Sequence, residues 1–119
     1  MFKLLLSVAA LAAVTGVMRH AGLKSSMPAK GAMLSESPKV ISLTFTEGVL
    51  LPATSIAILK ADSTVLEKLV VKAVAGDTTV AGALKTPLPK GTYIVKWRNG
   101  AKDDGHPSSG TFSFMVMGH

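Results

Sequence analysis

Hydrophobic and polar positions alternate most regularly towards the C-terminal end of the chain. Tyr93, Val95 and Trp97 interleave with Thr92, Ile94, Lys96 and Arg98, and Phe112, Phe114 and Val116 interleave with Thr111, Ser113 and Met115. A period of two marks a strand with one buried face. Between them, Asn99 to Ser109 is dense in turn residues, which predicts a loop over 99–109. Upstream, Val40 to Thr46 reads as a strand with Ile41, Leu43 and Phe45 inward; Glu47-Gly48 ends it and Pro52 marks a bend. Ile56 and Ile58 belong to the next strand, closed by Lys60-Ala61-Asp62-Ser63. Val65 to Ala75 fits two patterns: Leu66, Leu69, Val70 and Ala73 make a helical stripe, whereas Val70 to Val74 fits a strand. Its β-branched content and its strand neighbours favour a strand. Thr78 to Leu84 is another short strand, and Pro87 to Gly91 a tight connection. His20 to Pro38 has no helical period and carries two proline-containing turn stretches, as an irregular or edge strand followed by turns would.

Short strands with turns every 8–12 residues or so describe an all-β sandwich. Leu88-Pro89-Lys90-Gly91-Thr92-Tyr93 has the form of a tyrosine corner, in which a tyrosine near the start of a late strand bonds back to the preceding connection. With 119 residues, one domain is expected, large enough for a two-layer core but not for a deep catalytic cleft.

The first residues have a different character. Met1-Phe2-Lys3 precedes the apolar run Leu4 to Val14, the pattern of a secretory signal, and the run is short for a membrane-spanning helix. A signal over 1–19 leaves a domain over 20–119. Val14 and Gly16 permit cleavage before Val17 instead, whereas cleavage before His20 puts Arg19 at the bond.

The net charge is +6; without Lys3 and Arg19, 11 basic residues face 7 acidic ones, a charge of +4. The basic residues are scattered singly with no aromatic platform between them, which argues for solubility and against a nucleic-acid surface. The absence of cysteine excludes disulfides, thiolate metal sites and cysteine nucleophiles. No Ser-His-Asp set suggests hydrolysis. In Asp104-Gly105-His106-Pro107, a carboxylate and an imidazole stand two apart, as a metal or proton site would have them; a plain surface turn is the alternative.

Four blocks, in order, resemble the CopC-type periplasmic copper-binding family. The stretch from His20 to Gly31, with Ser26-Met27-Pro28-Ala29, is similar to the start of its mature chains. Ser37-Pro38 with Val40 to Glu47 resembles a second block, Pro89 to Arg98 a third, and Asp104-Gly105-His106-Pro107 with Gly110 to Val116 the closing signature. The resemblance implies an immunoglobulin-like Greek-key sandwich of about seven strands that binds one Cu(II) ion. It implies His20 (amine and ring), Asp104 and His106 as ligands, with Glu47 at the family's acidic position as a further or outer ligand. It also implies a role in copper homeostasis, tolerance or delivery to an inner-membrane copper transporter of the CopD type, without enzymatic activity.

Nitrogen ligands with one carboxylate oxygen suit the tetragonal preference of Cu(II). Asp104 and His106 alternate along what reads as an extended segment, so both side chains can lie on one side. Binding needs neutral imidazole and amine, whose ordinary pKa values are roughly 6.5 and 7.7–8.0, so affinity falls on acidification. If the mature chain starts at Val17, the amine is displaced and a weaker site remains. The family's Cu(I)-binding members carry a methionine-rich loop; Glu47 to Ser55 has no methionine, and Met27, Met33, Met115 and Met117 are scattered along the chain as packing or surface residues. The expectation is a Cu(II)-only, monomeric member. Two other functions share this framework: a copper-dependent redox enzyme built on a histidine brace, and a metal-free adhesion module. His119 is terminal and reads as frayed.

Overall fold

The computed structural model describes residues 21–118. Residues 1–19, expected to be a signal, lie outside them, as do His20 and His119. Nine strands form among the described residues: β1 (Leu23–Met27), β2 (Met33–Leu34), β3 (Val40–Phe45), β4 (Ser55–Lys60), β5 (Val65–Lys68), β6 (Val71–Ala75), β7 (Thr79–Ala83), β8 (Gly91–Gly100) and β9 (Pro107–Val116). They make a Greek-key sandwich, with one sheet in the order β1-β3-β7-β6 and the other in the order β2-β9-β8-β4-β5. No helix among the described residues is long and apolar enough to cross a membrane.

The alternating residues form the core between the sheets. Ile41, Leu43 and Phe45 of β3 meet Ile56 and Ile58 of β4, Tyr93, Val95 and Trp97 of β8, and Phe112, Phe114 and Val116 of β9, all buried. The ring of Phe45 tilts against that of Trp97 with centroids 5.2 Å apart, which joins the two sheets. Trp97 has room because its partner in the β8–β9 ladder is Gly110. A β-carbon there would stand 2.7 Å from Trp97 Cζ2. The tyrosine corner forms as expected: Tyr93 donates its hydroxyl hydrogen to the Pro89 carbonyl, and burial raises the phenol pKa.

Three sequence expectations need correction. About seven strands become nine, partly because Leu23 to Leu34 supplies the outer strands of both sheets, β1 antiparallel to β3 and β2 parallel to β9. The apolar run 65–75 is two strands in different sheets. Leu69 is buried under Gly82, where the chain passes from β5, paired with β4, to β6, paired with β7. The loop expected over 99–109 is shorter, because β8 continues through Asn99 and Gly100, which pair with Ser108 and Pro107 of β9. Only residues 101–106 connect the two strands.

Candidate metal centre

Residues 101–106 turn on backbone hydrogen bonds. Ala101 N–H donates to the His106 carbonyl at 2.9 Å, and Gly105 N–H donates to the Ala101 carbonyl at 2.7 Å. Gly105 takes φ +72°, a left-handed conformation that glycine adopts without steric cost. Asp104 is thus in a turn, not on the extended segment expected, and it meets His106 by another route. The His106 backbone N–H donates to Asp104 Oδ1 at 2.9 Å, an Asx turn closed over Gly105. Oδ2 remains as the oxygen that could ligate a cation. Both residues are exposed.

The loop is braced from below by the segment after β3. Lys102 N–H donates to the Gly48 carbonyl at 2.8 Å, Leu50 N–H to the Gly100 carbonyl at 2.9 Å, and Val49 bridges Ala101. Lys102 Nζ pairs with Asp77 Oδ2 at 3.0 Å, and its hydrogen bond and charge hold the Asp77 carboxyl below the usual range. Glu47 sits half-buried in this brace, at the same end of the sandwich as Asp104 and His106. Among the described residues, no three His, Cys, Asp or Glu side chains gather closely enough to hold a metal, so Glu47, Asp104 and His106 do not form a complete donor set by themselves.

The first described residues reach the same end. Gly22 and Thr46 exchange hydrogen bonds: Thr46 N–H donates to the Gly22 carbonyl at 2.8 Å, and Gly22 N–H to Thr46 Oγ1 at 3.1 Å. The Ala21 carbonyl, in a residue with 0% exposure, accepts from Asn99 Nδ2 at 3.0 Å. Asn99 is itself only 2% exposed, and its Oδ1 and the Oγ of Ser108, its ladder partner, are buried without hydrogen-bond partners. Asn99 is the residue that reading the sequence as a loop passed over. The signal was its place in the β8 alternation: after Tyr93, Val95 and Trp97, position 99 faces inward.

Fold and placement together define an immunoglobulin-like β-sandwich that collects Ala21 and Gly22, its acidic β3 end and its Asp-Gly-His turn at one pole. Residues 23–117 match the CopC domain, and the chain belongs to that family. Among solved structures, CopC from Methylosinus trichosporium OB3b is similar, with 29% identity and a TM-score of 0.76 over 84% of this chain and 96% of that one. PcoC from Escherichia coli, described as a methionine-rich copper resistance protein, shares 27% identity with a TM-score of 0.64 over 82% of this chain and 98% of that one. No curated protein matches the chain.

Proposed function

We propose that the chain is a non-enzymatic periplasmic Cu(II)-binding protein, exported by residues 1–19, that carries one ion as its cargo. His20, through its amine and ring, would join Asp104 and His106, with Glu47 as a further or outer contact. The observation that carries this reading is the attachment of Ala21, the residue after His20, to Asn99, two positions before the turn that presents Asp104 and His106. Two donors in that turn are too few for a site, and His20, next to Ala21 in sequence, would add its imidazole and, in a chain that starts there, its amine. Imidazole, amine and carboxylate together match the N/O tetragonal preference of Cu(II). Membership of the CopC family and the likeness to a copper resistance protein favour copper as the ion. On this reading the monomer buffers copper for tolerance or hands it to an inner-membrane transporter of the CopD type.

The test is Cu(II) titration of the mature protein purified from the periplasm, with its start fixed by intact mass. A chain starting at His20 should take up one Cu(II) with a tetragonal, nitrogen-coupled paramagnetic spectrum. His106→Ala should weaken binding by about tenfold or more, the loss expected when a ligand contributes at least 1.4 kcal/mol. Affinity should fall as pH drops through the ordinary imidazole and amine range, because protons compete for the nitrogens. Equal affinity of wild type and His106→Ala would refute the site.

A further inference from the structure

Read along the chain, the basic residues are scattered; in the fold, three of them share one outer face. Ala57 of β4 stands opposite Lys68 of β5 on one side and Lys96 of β8 on the other, and Lys96 stands opposite Thr111 of β9. Directly opposed residues of neighbouring strands lie on the same face, so Lys68, Ala57, Lys96 and Thr111 make one row across four strands. The next row towards the 101–106 turn is Ser55, Arg98 and Ser109. Both rows face outward, because their chain neighbours Ile56, Ile58, Val95, Trp97 and Phe112 point into the core. Lys68, Lys96 and Arg98 are exposed, and neither row holds an Asp or Glu. Glu67, beside Lys68 in sequence, faces the other way: it stands opposite the buried Ile58 and accepts from Lys85 N–H at 3.0 Å. Among the described residues, none of the three cations forms an ion pair.

Two residues along a strand advance about 6.6 Å, and two strand spacings come to about 9.6 Å. Lys96 therefore stands at or within about a Debye length of both Arg98 and Lys68, with no carboxylate between, and the three charges repel one another. An anionic counter-surface relieves that repulsion. The shape of the patch selects the kind. Its cations spread in two dimensions over a sheet face, whose inner strands β4 and β8 are paired on both sides and leave no edge for a peptide to join. Protein interfaces centre on buried apolar or aromatic anchors, whereas none of the exposed large apolar side chains lies in these rows. No aromatic ring stands in them to stack on a nucleic-acid base. What remains is a planar array of phosphates. We propose that the outer face of β5, β4, β8 and β9, through Lys68, Lys96 and Arg98, docks on an anionic phospholipid surface. This face shares no residue with the metal site proposed above and does not depend on it.

The test is co-sedimentation of the purified mature protein with vesicles of phosphatidylglycerol and phosphatidylcholine in equal parts, and with vesicles of phosphatidylcholine alone. Binding should occur only to the first and should weaken as salt is added. Lys68→Gln, Lys96→Gln and Arg98→Gln change exposed positions and should keep the wild-type urea midpoint. Each should weaken vesicle binding about fivefold, the equivalent of about 1 kcal/mol per cation near an anionic surface. Lys72→Gln removes the same charge from β6, where Lys72 stands opposite Ala81 on the outer face of the other sheet, and should bind as wild type does. Equal binding to both kinds of vesicle, or an equal loss in Lys72→Gln, would overturn the proposal. Failure to bind the anionic vesicles would overturn it in favour of an acidic protein surface.

Discussion

Asn99→Ala tests whether a buried amide sets the position of Ala21. In the native protein, Asn99 Nδ2 donates to the Ala21 carbonyl at 3.0 Å, with both residues almost wholly shielded from water. The substitution leaves that carbonyl buried without the donor, which costs about 1–3 kcal/mol. It also removes Asn99 Oδ1, an acceptor buried without a partner, so part of that cost is recovered. The net expectation is a loss of about 1–2 kcal/mol of stability, read from the urea midpoint of the metal-free protein. If the same attachment fixes His20 for chelation, the variant should also lose roughly five- to thirtyfold in Cu(II) affinity, the equivalent of 1–2 kcal/mol in positioning. Ser108→Ala is the control. It deletes the other buried oxygen without a partner and leaves Ala21 attached, so its stability should be unchanged or higher. Asn99→Ala with native stability would refute the energetic argument. A destabilised Asn99→Ala that binds Cu(II) as tightly as wild type would show that Ala21 does not carry the chelate.

Tyr93→Phe removes the corner bond to Pro89 and should cost about 1 kcal/mol at neutral pH, measured by urea or thermal unfolding. Because burial raises the Tyr93 phenol pKa, the fold favours the protonated form. That contribution is intact below the ordinary phenol pKa of about 10 and is lost as pH rises beyond it, so wild-type stability should decline there more steeply than that of Tyr93→Phe. Gly110→Ala forces a β-carbon to within 2.7 Å of Trp97 Cζ2, so the indole must shift. Overpacking of this kind should lower stability by about 1–3 kcal/mol, with a change in Trp97 fluorescence; unaltered stability and emission would refute the packing argument.

The parts of the fold legible in the sequence are those where one face is buried and local pattern decides. The inward residues of β3, β4, β8 and β9 could be read from alternation alone, and the tyrosine corner from its proline, glycine and tyrosine spacing. The break between β5 and β6 was hidden because the crossing occurs inside the continuous apolar run Leu69-Val70-Val71, with no glycine or proline to mark it. What allows the crossing is the missing side chain of Gly82, far along the chain. Asn99-Gly100 misled for the opposite reason: it has the composition of a turn, yet its amide works inside the sheet as an anchor. Asp104 and His106 were recognisable by spacing, but the contact between them depends on a left-handed Gly105 and not on strand alternation. The meeting of Met33 with Met115 is long-range parallel pairing, which no local pattern encodes.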